Sequence, residues 1–232
     1  MNPARIVAAS FFALAAWVAA AGPADAGGLS LTPAIVDLPP DQPPRSDLEL
    51  LNDGAERLYV VVEPSQIVDP GTPSERRVQD VDPQKLGLLA TPSRLVLEPG
   101  ERKYVRVAML VDPGAQDRIY RVTVKPVTGD VSAPATGLKI LVGYDVLVIQ
   151  RPAVPKALIA AKRVGMVLTM RNDGNTNAEL FGGKQCDASG GNCTPVAGGR
   201  LYAGTSRDVT LRNDGPVEYS VKVGGTVSVE HY

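Results

Sequence analysis

The chain is poor in the residues that most enzymes rely on. It has one histidine, His231, beside its last residue, and two cysteines in 232 residues. Without a second histidine or a Gly-x-Ser-x-Gly string, the Ser/His/Asp and Cys/His constellations lack their parts, so enzymatic activity is not expected. A metal site built on cysteine would need further ligands that are not there, and no cofactor or metal is expected. Charge of one sign is also missing. Lys and Arg number 24 against 25 Asp and Glu, and no block of like charge stands out. That argues against a nucleic acid or an anionic membrane recognised by charge alone. Aromatic residues make up 5% of the chain, and the single tryptophan, Trp17, lies in the N-terminal apolar stretch.

That stretch, "MNPARIVAASFFALAAWVAAAGPADA", has Arg5 in a short basic start, then an apolar run from Ile6 to about Ala21. It ends in Ala24-Asp25-Ala26, a small-x-small cleavage pattern. The run is shorter than the roughly 20 residues that a spanning helix needs. Residues 1–26 are therefore expected to be a cleaved signal peptide. No later run is long enough to cross a bilayer, so the mature chain is expected to be exported without membrane insertion.

What remains, about 206 residues, suits one large domain or two ordinary ones. Period-two alternation recurs in "KYVRVAML", "IYRVTVKPV" and "VEYSVKV", while "LKILVGYDVLVI" is more continuously apolar. Val, Ile, Thr and Tyr fill these runs, Pro and Gly separate them, and no sustained helical periodicity follows the signal. The chain is expected to be all-β, made of immunoglobulin-like sandwiches. In "QRPAVPKAL", Pro152 and Pro155 make a stiff connector. A boundary there gives domains of 27–150 and 151–232.

The string Asn-Asp-Gly occurs three times, at Asn52, Asn172 and Asn213, each time between apolar runs. Asn and Asp bond their own local backbone and Gly takes positive φ freely, so each copy reads as a tight reversal between antiparallel strands. Asn52 and Asn172 fall early in the two halves, which suggests a duplicated opening. Cys186 and Cys193, in "QCDASGGNC", read as a disulfide stapling a small loop in an oxidising compartment. Closing such a loop contributes roughly 2–3 kcal/mol on the chain-entropy estimate.

Several stretches, in order, resemble the periplasmic pilus-assembly chaperones of the chaperone–usher system. These are "LSLTPAIVDLPP", "LELLNDGAERLYVVV", "LLATPSRLVLEPGERKYVRV", "DRIYRVTVKPV" and "GLKILVGYDVLVIQRP", with "MVLTMRNDG" and "VEYSVKVGGTVSV" matching more loosely. The most specific piece is Pro-Ser-x-Leu-x-Leu-x-Pro-Gly followed by Val-Arg-Val. The resemblance implies two sandwiches in an L-shaped arrangement and residence in the periplasm. It also implies exported pilin or fimbrial subunits and an outer-membrane usher as partners. The mechanism it implies is strand donation, in which the seventh strand completes a subunit that lacks one.

In "GLKILVGYDVLVIQRP", Leu138, Ile140 and Val142 share one face and Tyr144 extends the row. Burying each aliphatic side chain is worth roughly 1.5–3 kcal/mol before association costs. The preceding "TGDVSAPATG" reads as a loop leading into the donor. The resemblance further implies a basic pair that holds the client's terminal carboxylate. Its places, near Pro33 to Ile35 and at Gly143 or Leu147, carry no Arg or Lys. The nearest alternative cations are Lys139, Arg106 and Arg151. The rival expectation is an exported structural or adhesive protein that keeps this fold without assembling pili.

Overall fold

The computed structural model describes residues 28–127, 141–187 and 189–232. Ten strands come from the first part of the chain. They are β1 (Leu29–Thr32), β2 (Ile35–Leu38), β3 (Arg45–Asn52), β4 (Leu58–Val68), β5 (Arg76–Val78), β6 (Leu88–Thr91), β7 (Arg94–Leu97), β8 (Arg102–Met109), β9 (Arg118–Val127) and β10 (Tyr144–Gln150). One helical turn, α1 (Pro83–Leu86), precedes β6. It is capped by the Asp82 side chain and stopped by Gly87 in the left-handed region. The remaining strands are β11 (Ile159–Val164), β12 (Val167–Asn172), β13 (Ala178–Gln185), β14 (Thr194–Pro195), β15 (Gly199–Leu201), β16 (Ser206–Thr210), β17 (Val217–Val223) and β18 (Thr226–His231).

The strands form four sheets. One runs β1-β3-β8-β6, and the second runs β2-β10-β9-β4-β5 with β7 also paired to β4. Alternation along β3, β8 and β9 turns Leu48, Leu50, Val105, Val107, Tyr120, Val122 and Val124 into a shared core between these two sheets. The other two sheets run β11-β12-β16 and β14-β13-β17-β18, with β15 on β13. They close over a smaller core that includes Leu168, Met170, Leu180, Val209, Tyr219 and Val221. The molecule is a pair of β-sandwiches, as the patterning predicts. Cys186 and Cys193 are disulfide-bonded. Asp187 stitches the loop between them, accepting from the backbone of Ser189 and Gly191 and from the Asn192 amide.

The three Asn-Asp-Gly strings do not close hairpins, which corrects the sequence expectation. Each carries the chain from one sheet to the facing one: β3 to β4, β12 to β13 and β16 to β17. None of their glycines takes a left-handed φ. The asparagine side chain does the turning instead. Asn52 is fully buried, in phase with Leu48 and Leu50 on the core face of β3. Its Oδ1 accepts from Gly54 N–H at 3.1 Å, and its Nδ2 donates to Glu56 O at 2.7 Å and Leu97 O at 3.0 Å. Asn172 repeats this pattern, accepting from Gly174 N–H at 3.0 Å and donating to Thr176 O at 2.8 Å and Leu201 O at 3.1 Å. The two openings are therefore duplicated down to their hydrogen bonds.

Asn213 keeps only the local half of the pattern, accepting from Gly215 N–H at 2.8 Å. The glycines of the second and third copies serve close approach. A Cβ on Gly174 would lie 2.0 Å from Lys156 O, and one on Gly215 would lie 2.1 Å from Cys186 O. Asn172→Ala leaves two buried carbonyls without their donor and is expected to cost about 2–4 kcal/mol in urea denaturation. Asn213→Ala is expected to cost about 1 kcal/mol by the same measurement. Equal losses would contradict the bridging role.

Candidate functional site

β10 is covered unevenly. On one side it pairs antiparallel with β9 along its whole length, from Tyr144 opposite Val124 to Gln150 opposite Arg118. On the other side β2 pairs with it in parallel, but only over Leu147–Gln150. Leu147 N–H donates to Ala34 O at 3.1 Å, and the ladder ends with Arg151 N–H donating to Leu38 O at 3.0 Å. By the alternation of the ladder, Asp145 points its N–H to this same side, where none of the described strands lies. Tyr144 to Val146 thus form a free edge.

The side chains on this strand change surroundings in the same direction. Val148 and Val146 are buried in the core. Tyr144, in phase with them, only packs partly against that core. Val142, next in phase, is 63% exposed. One apolar face therefore starts inside its own sandwich and runs out of it. Leu138, Lys139, Ile140 and the 128–137 loop lie outside the described residues.

The start of β10 is pinned from its polar face. Asp145 takes both guanidinium nitrogens of Arg77 from β5 and the hydroxyl of Thr123 at 3.0 Å, while Arg121 donates to its backbone carbonyl at 3.1 Å. Partial burial alone would raise the carboxyl pKa. The hydrogen bonds from Arg77 and Thr123 and the two arginine charges outweigh it and hold the group below its usual range. Because the folded carboxylate titrates below its unfolded value, its contribution to stability is complete above that value and is lost as acid takes the pH down through it. Asp145→Asn is expected to flatten the acid limb of a stability–pH curve below roughly pH 5. A parallel acid limb in the variant would remove Asp145 from that role.

Where β10 ends, Arg151 joins the two sandwiches. It is 3% exposed, and its Nε and Nη2 donate to Asp37 Oδ1 and Oδ2 of β2 at 2.6 and 2.7 Å. Its Nη1 donates to Thr176 Oγ1 at 2.5 Å, and that hydroxyl donates to Asp117 Oδ1 at 2.7 Å. Asp117, in the loop before β9, also takes the backbone and side-chain N–H groups of Asn177. Two aspartates from the first sandwich thus grip the β12–β13 corner through one buried arginine. Beside this network Tyr202 packs on Ile67, Ile119, Leu147 and Ile149, on the outer face of the first sandwich. Burial raises its phenol pKa. Asp37→Ala strands a buried guanidinium. Asp37 is itself 31% exposed, so the expected cost is about 2–4 kcal/mol, below a fully buried pair, with a wider spread of interdomain angles in small-angle scattering. An unchanged scattering profile would contradict the joint.

The angle between the sandwiches encloses a cleft of ≈ 370 Å³, lined among others by Ile35, Asp37, Arg151, Glu179, Arg200 and Lys222. Of the three alternative cations named from sequence, Arg151 lines this cleft but is committed to Asp37. Arg106 does not line it and is paired bidentately with Asp47 on the surface of β8. Lys139 is outside the described residues. The structure also shows why the expected basic places are empty. A lysine at Leu147 would put its ammonium under Tyr202 among isoleucines. A side chain at Gly143 would meet Val124 O at 3.0 Å and Lys125 Cβ at 3.1 Å. Sequence reasoning did not single out Asp37, Asp117, Thr176, Arg200 or Lys222.

No family model matches the chain. A CS1 fimbrial protein of Escherichia coli, one of the subunits of that system, is 25% identical over 179 residues, spanning 72% of this chain and 75% of its own length. Among solved structures, the class 5 fimbriae chaperone CfaA superposes with a TM-score of 0.65 at 21% identity, covering 88% of this chain and 98% of that one. The SafB chaperone, solved with the Salmonella enterica SafA pilin, gives 0.64 at 17% identity over 89% and 96%. The CupB2 chaperone of Pseudomonas aeruginosa gives 0.62 at 15% identity over 87% and 98%. The chain has the two-sandwich fold of the fimbrial chaperones.

Proposed function

We propose that the protein is a periplasmic chaperone that holds exported fimbrial subunits by lending them the strand that leads into β10, then hands them to an outer-membrane usher. The observation that carries this reading is the runout of one apolar face from Val148 and Val146, which are buried, to Val142, which is 63% exposed. It runs along an edge that β2 covers only from Leu147 onward. An exposed apolar strand with a free edge is a hazard in a protein with no use for it. In a chaperone it is the binding element. Backbone hydrogen bonds supply affinity, and Leu138, Ile140, Val142 and Tyr144 present alternate side chains to a subunit groove.

The likeness to solved fimbrial chaperones supports the reading, and so does the fimbrial relative. An N-terminal segment that reads as a signal peptide supports export. Among the described residues no helix is long and apolar enough to cross a membrane.

Ile140→Asp and Val142→Asp each place a charge on the lent face. Val142 is exposed, so its variant is expected to keep the wild-type melting temperature. A fimbrial subunit co-produced with either variant is expected to fall at least several-fold in periplasmic level, because a buried unpaired carboxylate opposes strand addition. Unchanged subunit levels with both variants would remove the strand-lending role.

A further inference from the structure

The cations of the cleft are unequally matched. Arg151 is held by Asp37, and Arg200 donates to Glu179 Oε2 at 3.1 Å and to Asn177 Oδ1. Lys222 has no carboxylate partner among the described residues, although Glu179 is its cross-strand neighbour on β13. It stands exposed on the outer face of β17. The register puts Val227 beside it on β18 and sets Phe181, Ser220 and Val229 in the next row outward. Phe181, Val227 and Val229 are 41%, 52% and 55% exposed. Ile35, at the start of the outermost strand of its sheet, is 46% exposed and also lines the cleft. One unmatched ammonium therefore sits where two apolar surfaces and an unpaired strand edge converge.

We propose that this cleft receives the terminal carboxylate of an extended apolar segment, and that Lys222 of the second sandwich is the cation that matches it. The proposal rests on the strand-lending reading for the presence of such a segment beside β2 and β10. The charges decide the ligand's sign. With Arg151 and Arg200 already matched, the cleft is one positive charge in excess, and a single carboxylate balances it. The cavity volume lies in the range of small-ligand sites, which suits the end of a chain better than a second folded surface. Because the cation comes from β17 while the strand edges come from β2 and β10, a seated terminus touches both sandwiches at once.

The test uses the full mature chain and three synthetic probes. These are acetyl-valyl-threonyl-valyl-threonyl-valine with a free carboxylate, the same peptide as its C-terminal amide, and an amide carrying one internal aspartate. Titration calorimetry or NMR at low ionic strength is expected to show the free acid binding about tenfold more tightly than the plain amide. The gap is expected to shrink as salt is added. Lys222→Met is expected to abolish the gap while leaving the melting temperature unchanged, since the side chain is exposed and unpaired. Equal binding of acid and amide, or an acid preference that survives in Lys222→Met, would overturn the proposal. So would a gain confined to the aspartate probe, which would point to a side-chain carboxylate. Subunit protection by the strand variants is read separately, so the terminal site can fail while strand lending stands.

Discussion

A strand in a sheet is satisfied only as far as its neighbours extend, and β2 extends over four residues of β10. The rest of the arrangement depends on that shortfall. Had β2 run three residues further back, the N–H of Asp145 would be paired and the sheet edge would belong to β2 alone. As it stands, the edge steps from β2 to β10 beside the cleft, and the apolar face of β10 leaves the core at the step. The polar face is treated differently. Arg77, Thr123 and Arg121 converge on Asp145 from neighbouring strands and hold the beginning of β10 in place. A strand that offers one side to another molecule needs the other side fixed.

The second sandwich supplies the opposite wall of that step, and its position is set by few atoms. One buried guanidinium is shared between Asp37 and the β12–β13 corner, Asp117 is bonded to the same corner, and Tyr202 lies on four apolar residues. The corner that receives these bonds is itself one of the two asparagine-bridged turns. The side chain of Asn172 orders Thr176 from below, and Thr176 then accepts from Arg151 and donates to Asp117. Fold and joint thus share a hydrogen-bond chain. This links a strand-end asparagine in the second core to the face of the first sandwich.

Much of this was legible in the sequence, and the failures have physical causes. Period-two patterning in "KYVRVAML" and "IYRVTVKPV" predicted β8 and β9, and the close cysteine pair predicted its staple. The Asn-Asp-Gly strings were read as hairpins because turn composition alone does not say whether the next strand returns to the same sheet or crosses to the facing one. A usable signal was present: Asn52 follows Leu48 and Leu50 in phase, Asn172 follows Leu168 and Met170, and Asn213 follows Val209 and Leu211. An asparagine in phase with a core face points inward and must be bonded there. The joint was not legible. Arg151 and Asp37 are 114 residues apart, and Thr176 and Asp117 are 59 apart. No local pattern marks a pair brought together only by tertiary structure. Lys222 was hidden for a related reason, since an exposed lysine on an edge-proximal strand becomes notable only when its neighbours' carboxylates prove to be taken.

The placement of Arg151 directly after Gln150 has a mechanical consequence. A β-strand under tension can creep along its neighbours two residues at a time without turning its greasy face outward. Here a shift of that size would drag the guanidinium several ångströms away from Asp37 and Thr176 and leave a buried charge bare. The arginine therefore works as a stop knot at the end of a rope, so that tugging at the loose end of β10 strains the joint before it can slide the strand.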